Sequence, residues 1–509
     1  MDATHGVIGI DIGTSSAKAV LYDRTGAVLA HHAEEYPLLT PVPGAAEQDP
    51  DQIVRAVIAS IAAVVAQAAG RPIACVSFSA AMHSVIAIDA AGKALTPCIT
   101  WADTRAAAFA DRIRAIGGGA VYRRTGTPIH PMSPLAKLAW LHGTAPDLFG
   151  SAARFIGIKE YVFHTFFGEY VVDHSIASAT GLFDITTLRW DRDALALAGI
   201  TESNLSEPVP TTHVMQGLKP DVARATGLGV RTPFVIGASD GVLANLGVGA
   251  IEPGSVAVTI GTSGAIRTPV TAPVTEPRGR LFCYVLAPGI WIVGGAVNNG
   301  GMMLRWLRDE LGLVEVGTAK SPSDDAYDFL TQLAERGGVG AGGLLFHPYL
   351  AGERAPLWNA DARGSFFGLA VHHRKEHIVR AVLEGVIFNL QMVMKIMEET
   401  GVRAQRILAS GGFARSLLWR QIMADIFERE VVVGKSTEAS CLGAAVLGMY
   451  ALKAIPSLNA ALDMAGPSER IQPNPANAEK YRVLAEIFGR LPTLLHDAYR
   501  DISEYQRRM

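Results

Sequence analysis

Residues 7–22 read VIGIDIGTSSAKAVLY, and residues 256–267 read VAVTIGTSGAIR. Each stretch is an apolar run that ends in Gly-Thr-Ser and continues into a second run of small and apolar residues. This pattern predicts a buried strand, a tight turn and another strand. Two copies, 248 positions apart between Thr14 and Thr262, indicate a duplication of whole domains rather than a short repeat.

The residues around each turn predict an α/β architecture that begins in the same way in both halves. In the first half we expect three strands, a helix over 52–69 capped by Asp51, and a fourth strand, in the order β-β-β-α-β. In the second half strands follow a turn at Pro253. The quoted segments are AVLYD, AVLAHHAEEY and PIACVSFSA in the first half, and SVAVTIG, RLFCYVLA, WIVGGAV, RILAS and VVVG in the second. Helices are predicted over 376–399, after 416 to about 430, and around 442–450.

The chain length of 509 residues is too great for one hydrophobic core. The two turns divide it into an N-terminal domain, residues 1–248, and a C-terminal domain, residues 249–475. A helical tail over 476–509 follows.

Composition and charge disfavour several classes of protein. The 45 basic and 48 acidic residues give a net charge of −3 without a basic run, so no nucleic-acid partner is expected. Four scattered cysteines lack metal-ligand spacing and form no disulfide framework, which favours a reducing cytoplasm. No signal peptide is predicted at MDATHG. The apolar stretch 53–69 contains Arg55 and falls short of the ~20 residues of a membrane span.

A Gly-Thr-Ser turn after a buried strand presents backbone N–H groups that suit phosphate oxygens. The candidates are Gly13, Thr14 and Ser15 in the first turn, and Gly261, Thr262 and Ser263 in the second. A single turn of this kind is more often an ordinary hairpin with local hydrogen bonds. Two copies favour the functional reading, in which both turns hold one triphosphate in an interdomain cleft.

Two acids stand out beside these elements. Asp11 lies two residues before Gly13 in an apolar run, where a magnesium ion would compensate its buried charge. Its alternative role is a hydrogen bond to turn amides. In the second copy Thr259 stands at the position that corresponds to Asp11. This difference is expected if a single metal ion is bound, because one ion needs only one such carboxylate. Asp240, in FVIGASDGVLANLG, is placed to accept the proton of an attacking hydroxyl, although SDG alone also fits an Asx-turn.

Five motifs together point to a family, the first of which contains the first Gly-Thr-Ser turn. GIDIGTSSAK (9–18), MSPLAKLAWL (132–141), AGERAPLW (351–358), GSFFGLAVHHRKEHIVRAVLE (364–384) and SGGFARSLLWRQIMAD (410–425) occur in this order. Together they resemble the signatures of the FGGY carbohydrate kinases, over about residues 6–455. The resemblance implies two ribonuclease H-like domains of the actin-like ATPase type, related by duplication, with a cleft between them.

The resemblance also implies roles for particular residues. It makes Asp240 the general base, assigns Asp11 to Mg²⁺ and places both turns on the phosphates of ATP. Along the nucleotide it places Gly300, Gly411, Gly412 and Ser416, and it brings the small residues of 439–445 close to adenosine. Phe413 stands where the commoner form of the motif has a third glycine.

The segments AAMHS (80–84) and WADTR (101–105) resemble the polyol-binding segments of the family. The implied sugar contacts are Met82, His83, Trp101, Asp103 and Arg105. Four of these five have a purely structural alternative: Met82 in a core, His83 bonded to backbone, and Asp103 capping a helix over 103–116 with Arg105 on its exposed face.

Within the family, the segments 129–141, 170–185, 209–213 and 234–247 resemble the members that phosphorylate D-gluconate. This implies that ATP and D-gluconate give 6-phosphogluconate and ADP. The substrate carboxylate needs a cation or several donors, for which Arg105, Lys137, Lys159 and His83 are candidates. Xylulose kinase is the nearest alternative. An actin- or chaperone-like ATPase is disfavoured, because WADTR is present and the tail offers no peptide-binding domain. A homodimer is a compatible assembly.

Overall fold

The computed structural model describes residues 5–311, 324–434, 438–466 and 468–509. The strands are β1 Gly6–Ile12, β2 Ser16–Tyr22, β3 Val28–Glu35, β4 Glu47–Gln48, β5 Ile73–Ala80, β6 Ile86–Ile88, β7 Cys98–Ile99, β8 Arg154–Ile156, β9 Val171–Asp173, β10 Phe183–Asp184, β11 Arg189–Trp190, β12 Glu207–Val209, β13 Val214–Met215, β14 Phe234–Ser239, β15 Ser255–Ile260, β16 Gly264–Val270, β17 Phe282–Ala287, β18 Ile290–Val297, β19 Leu345–His347, β20 Ser365–Phe367, β21 Arg406–Ser410, β22 Glu430–Gly434 and β23 Ser468–Ile471.

The helices are α1 Pro50–Gln67, α2 Ala107–Ala115, α3 Gly118–Thr125, α4 Pro134–Thr144, α5 Pro146–Ser151, α6 Ile158–Phe167, α7 His174–Ser178, α8 Arg192–Ala198, α9 Pro220–Thr226, α10 Asp240–Gly247, α11 Met302–Asp309, α12 Asp324–Arg336, α13 Lys375–Glu399, α14 Leu417–Phe427, α15 Ala439–Ala451, α16 Ala460–Met464, α17 Pro475–Leu494 and α18 His496–Arg508.

The chain folds into two compact units. The first unit comprises Met1–Glu252, Pro269–Val293 and Glu438–Gly466, and the second comprises Pro253–Thr268, Gly294–Thr437 and Pro467–Met509. The first break lies near the predicted boundary at 248, but two later segments return to the first unit. In Pro269–Val293, β17 packs against α7 and α10, and in Glu438–Gly466, α15 packs against β1 and β5. The C-terminal helices are not a separate tail, since α17 packs against α13 and α14 of the second unit.

The first unit is built on a six-stranded sheet in the order β13-β14-β5-β1-β2-β3. β1 pairs antiparallel with β2 and parallel with β5, and the predicted order β-β-β-α-β is found, with the short β4 inserted before α1. The predicted cap of α1 was wrong. Asp49, not Asp51, accepts from the first backbone N–H groups, because Pro50 takes the first helical position, where no N–H is needed.

In the second unit, strands of the larger sheet follow in the order β18-β16-β15-β21-β22-β23. β15 pairs antiparallel with β16 and parallel with β21, so it has the same kinds of neighbour as β1 in the first unit. The predicted duplication of a two-domain α/β fold is therefore visible in strand pairing as well as in sequence.

Two helices of the described residues are long and apolar enough to span a membrane by length and composition, α1 and α13. In α13, 78% of the most apolar window is buried within the structure. A buried core helix of a soluble domain has this same composition, so the two helices are weak evidence for a membrane segment.

Candidate functional site

The first Gly-Thr-Ser turn joins β1 to β2, and each of its three carbonyl groups accepts a hydrogen bond from another part of the first unit. The Tyr36 hydroxyl donates to Gly13 O (2.7 Å) and the Tyr36 N–H to Ser15 O (3.1 Å), while Gln48 Nε2 donates to Thr14 O (2.6 Å). Because the carbonyls point into these contacts and Gly13 N donates to Ser16 O (3.0 Å), the N–H groups that the turn can present to an anion are those of Thr14 and Ser15.

The second turn, between β15 and β16, is held in a similar way. Gly301 N donates to Gly261 O (2.6 Å), Gly300 N to Thr262 O (3.1 Å) and Gly261 N to Ser263 O (2.9 Å). A Cβ on Gly300 would collide with the carbonyl of Ser263, so the close approach requires glycine there. The two turns thus share the arrangement that suits phosphate oxygens.

A cavity of about 470 Å³ opens beside the second turn, a size typical of small-molecule sites. Of the residues implied along the nucleotide, Gly261, Thr262, Gly412 and Ser416 line it. It also includes residues for which no role was predicted, and these are Leu304, Arg305, Tyr327, Asp328, Thr331 and Trp419. The wall is partly apolar and partly polar, as an adenosine site requires.

The two adjacent glycines of SGGFARS have different roles. Gly411 has φ of 99°, and a Cβ there would collide with Ile260 O, so it permits close packing of β21 on β15. A Cβ on Gly412 would meet only open space. Phe413, in place of a third glycine, is buried and packs edge-on against Trp419 with ring centroids 5.7 Å apart.

The small residues of 439–445, implied to approach adenosine, form the start of α15 in the first unit. A Cβ on Gly443 would collide with Leu243 O, and one on Gly9 with Cys441 O. Within the first unit these residues therefore allow the close packing of α15 on α10 and β1. Their contact with a nucleotide stays a prediction.

Asp11 lies opposite Ser79 of the parallel strand β5, and Ser79 Oγ donates to its Oδ1 (2.7 Å). The second unit contains an equivalent pair. Thr259 lies opposite Ser410 of β21, and their hydroxyls are 3.0 Å apart. The duplication thus extends to a side-chain hydrogen bond two residues before each turn, and the acid is specific to the first copy.

The pKa of the Asp11 carboxyl is raised from 3.8 to about 6, chiefly by burial and next by the negative charge of Asp240. The Ser79 hydrogen bond and the positive charge of Lys18, which pairs with Glu438 at 3.0 Å, oppose the effect of burial and lower this pKa. A cation bound here would stabilise the ionised form. The described residues contain no cluster of three or more His, Cys, Asp or Glu with metal-ligand geometry. Mg²⁺ commonly uses only one or two carboxylates together with phosphates and water, so Asp11 and Asp240 fit it.

Asp240 is the first residue of α10, directly after β14. Its Oδ1 accepts from the N–H of the next residue, Gly241, at 2.7 Å, and the residue is only partly exposed. The N-terminus of a helix stabilises a negative charge. This bond goes to the residue directly after Asp240, whereas an Asx-turn bonds to the N–H two residues on, and it fixes the carboxylate at the end of a buried strand.

Asp103 and Arg105 lie in a charged cluster rather than on a helix. Asp103 accepts from Ala46 N (3.1 Å) and from Arg105 Nε (2.9 Å), and Arg105 also pairs with Glu47 (2.5 Å). The capping alternative was wrong, because α2 begins at Ala107 and its N-cap residue makes no side-chain cap bond. Arg105 is thus fixed by two carboxylates and stays partly exposed.

The other residues of the sugar segments lie close to this cluster in sequence and contact. Trp101 Nε1 donates to Thr14 Oγ1 (2.9 Å), which joins WADTR to the first turn. His83 has φ of 70°, and its Nδ1 lies 2.7 Å from Ala179 O. Met82 is partly buried against an apolar cluster, as its structural alternative predicts.

Two of the four cations considered for a substrate carboxylate are committed elsewhere. Lys137 is fully buried, and its Nζ donates to the carbonyls of His83 (2.7 Å) and Thr100 (2.6 Å), while burial lowers its pKa to about 7. Lys159 is buried and pairs with Asp173 (2.5 Å). Their predicted availability was wrong, because both lie inside the core, which leaves Arg105 and His83.

Four residues that hold the site were not predicted from the sequence. Tyr36 and Gln48 bond to the first turn, Ser79 bonds to Asp11, and Glu47 pairs with Arg105. Only Ser79 left a signal. In PIACVSFSA, Ser77 and Ser79 alternate along an otherwise apolar strand, which marks one face of the strand as polar.

Comparison with known proteins identifies the family of this chain. Residues 6–247 match the N-terminal domain, and residues 256–452 the C-terminal domain, of the FGGY family of carbohydrate kinases. A gluconokinase of Bacillus subtilis is 53% identical over 506 residues, covering 99% of both chains, and a xylulose kinase of the same organism is 28% identical over 507 residues, covering 98% of this chain and 99% of its own length. The crystal structure of a gluconate kinase from Lactobacillus acidophilus superimposes with a TM-score of 0.92 at 36% identity, covering 98% of this chain and 99% of its own. This protein therefore belongs to the FGGY family of carbohydrate kinases.

Proposed function

We propose that this protein transfers the terminal phosphoryl group of ATP to D-gluconate, giving 6-phospho-D-gluconate and ADP. The observation that carries the proposal is the 53% identity to a gluconokinase over 99% of both chains, against 28% to a xylulose kinase. The structure adds a physical basis for ATP in the two phosphate-type turns, and for a polar substrate in the Arg105 cluster.

The nucleotide is assigned to the cavity of the second unit. Gly412 and Ser416 line it, and Gly261 and Thr262 bring the second turn to its edge. In this proposal adenosine occupies the cavity, and its phosphates accept hydrogen bonds from turn N–H groups. Gly13–Ser15 is the corresponding phosphate turn of the first unit.

Asp240 is proposed as the general base. As the terminal hydroxyl oxygen of gluconate attacks the γ-phosphorus, the new O–P bond forms, the bond to the ADP oxygen breaks, and Asp240 takes the hydroxyl proton. Its position at a helix N-terminus favours the ionised carboxylate that this role needs. Closure around the reactants would keep water from competing with the sugar.

Mg²⁺ is assigned to Asp11, directly or through water. The ion would neutralise charge on the phosphate oxygens of ATP. Asp11 is suited to it because burial raises the pKa of its carboxyl, so that a bound cation would favour the ionised form, while Ser79 holds the carboxylate through its Oδ1. Asp240 lies near enough to influence the Asp11 charge and is the second acid of the site.

The carboxylate of gluconate is assigned to Arg105 or His83, since Lys137 and Lys159 are buried and paired. Arg105 is the stronger candidate, because Asp103 and Glu47 fix its guanidinium and it keeps partial exposure. The reaction is assigned to the cytoplasm. All four cysteines are free thiols, as expected for a reducing compartment.

The test is an ADP-release assay with Mg·ATP and gluconate, xylulose, ribulose, glycerol or no sugar. A strong preference for gluconate supports the proposal. A preference for a ketose would keep the kinase and overturn the substrate. ATP turnover that is the same with every sugar would favour an actin- or chaperone-like ATPase instead.

A further inference from the structure

A buried carboxylate of the second unit accepts hydrogen bonds on both of its oxygens. Glu353 is 2% exposed. Its Oε1 accepts from Asn298 N (2.5 Å) and Arg354 N (2.9 Å), and its Oε2 from Asn299 Nδ2 (3.1 Å) and Asn389 Nδ2 (2.9 Å). Four N–H donors around one carboxylate are enough to compensate the loss of its hydration.

The residues held by Glu353 lead directly to the second phosphate-type turn. Asn298 and Asn299 precede Gly300 and Gly301, whose N–H groups donate to the carbonyls of the turn at Thr262 (3.1 Å) and Gly261 (2.6 Å). Only one residue separates Glu353's partner Asn299 from the second of these donors. The carboxylate is therefore coupled to the turn through a short run of backbone.

The segment around Glu353 holds the same run at further points. Asn298 Nδ2 donates to Ala351 O (3.0 Å), and Arg354 Nε donates to Asn298 Oδ1 (2.7 Å). A third bond joins the Arg354 guanidinium to Val297 O (3.1 Å). These contacts attach residues 297–299 to residues 351–354, while Asn389 attaches Glu353 to the long core helix α13.

We propose that Glu353 is a positioning residue for phosphate binding: it fixes residues 298–301, and these hold the carbonyls of Gly261 and Thr262 so that the turn presents its N–H groups to ATP. The proposal rests on the assignment of ATP to this turn. It gives a role to the AGERAPLW motif, which otherwise lies outside the site.

The chemistry of the four partners requires a carboxylate rather than an amide. All four contacts are N–H groups, so a glutamine at this position would direct its own NH₂ at a donor and lose at least one hydrogen bond. Burial raises the pKa of Glu353 to about 7, and the bonds from Asn298 and Asn299 oppose that effect. The four N–H donors favour the ionised form of Glu353, and in this form both of its oxygens accept hydrogen bonds.

The test compares Glu353→Gln with the wild-type chain by titration calorimetry, using ATP and, by displacement, adenosine. We expect ATP binding to weaken on the order of tenfold. This is the effect expected if the displaced turn loses one hydrogen bond to the charged phosphate. Adenosine binding and the KM for gluconate are expected to stay unchanged, because in the proposed arrangement the N–H groups of the turn bond to phosphate oxygens and not to adenosine. A general loss of stability would not separate ATP from adenosine in this way.

Glu384→Gln is the matched control. Glu384 is also buried in the second unit, but it pairs with Arg380 and accepts from Tyr481 (2.6 Å) and Gly340 N (3.0 Å), away from residues 297–301. It should leave the ratio of ATP to adenosine affinity unchanged. If Glu353→Gln does not fold, Asn389→Ala decides the question, since it removes one donor and keeps the carboxylate, with a smaller but still ATP-specific loss expected.

Unchanged ATP affinity in the folded Glu353→Gln variant, or in Asn389→Ala if that variant is needed, would overturn the inference. An equal weakening of ATP and adenosine would also overturn it. A wild-type chain that binds no ATP at all would overturn the proposed function, and is distinguishable from the first two results because it needs no variant.

Discussion

Asp11→Asn should separate stability from activity. The pKa of Asp11 is raised from 3.8 to about 6, first by burial and then by Asp240. The folded protein therefore binds this proton more tightly than the unfolded chain does. The contribution of Asp11 to the free energy of unfolding falls as the pH rises from about 4 to 6 and stays low above that range. Since one pKa unit corresponds to about 1.4 kcal/mol, ionised Asp11 costs the fold roughly 3 kcal/mol.

Asparagine removes the charge but keeps an oxygen that can accept from Ser79 Oγ. At pH 8 without nucleotide, Asp11→Asn should be more stable than the wild type by about 1–3 kcal/mol, with a melting temperature a few degrees higher. The upper limit assumes no loss from Lys18, which gains from the Asp11 charge. At pH 4.5, where Asp11 of the wild type is mostly protonated, the difference should largely disappear. Activity with Mg·ATP should fall.

Thermal unfolding of both proteins at pH 4.5 and 8, followed by calorimetry, measures the difference. Asp49→Asn is the control, because Asp49 caps α1 from a half-exposed position and asparagine is an equally good cap. Lower stability of Asp11→Asn at pH 8, or a gain that is the same at both pH values, would refute the conclusion that the ionised Asp11 carboxylate destabilises the fold.

Four further substitutions probe the site. Asp240→Asn should lower kcat by ~10²–10⁴ while ATP still binds in calorimetry, and near-normal turnover would exclude it as the base. Gly412→Ala should fold normally and weaken ATP binding, whereas Gly411→Ala should lower the melting temperature, because only the latter Cβ collides with backbone; equal melting temperatures would contradict this. Arg105→Lys should raise the KM for gluconate about tenfold or more without changing the KM for ATP, because lysine cannot reproduce the forked contact; an unchanged KM for gluconate would point to His83.

Local signals in the sequence were sufficient for much of the fold. The strands beside both Gly-Thr-Ser turns were predicted from apolar runs that end at glycine. The repeat of that pattern predicted the domain duplication. Element ends were less secure. The cap of α1 was predicted at Asp51 instead of Asp49, and the helix after WADTR was expected to begin at 103 although α2 starts at Ala107. At α1 two nearby acids can cap the helix, and only the structure shows which one does. Before α2, Asp103 instead accepts from Ala46 N and Arg105 Nε, and the helix begins later without a side-chain cap.

Long-range packing could not be predicted. Lys137 and Lys159 were candidates for binding the substrate carboxylate, yet each lies in the core because distant carbonyls or a carboxylate compensate its charge. The environment of Glu353 depends on three segments that are far apart in sequence. By contrast, the bond between Asp11 and Ser79 was within reach, since strand register places polar residues of neighbouring parallel strands side by side.

The return of α15 to the first unit affects how the chain is made. β1 is among the first segments to leave the ribosome, but α15, which packs against it, follows about 430 residues later. At 5–20 residues per second, the face of β1 at Gly9 waits roughly 20–90 s for the helix that covers it. During translation the first unit is therefore an incomplete intermediate with exposed apolar surface, and a chain that stalls before residue 438 should depend on chaperones or aggregate.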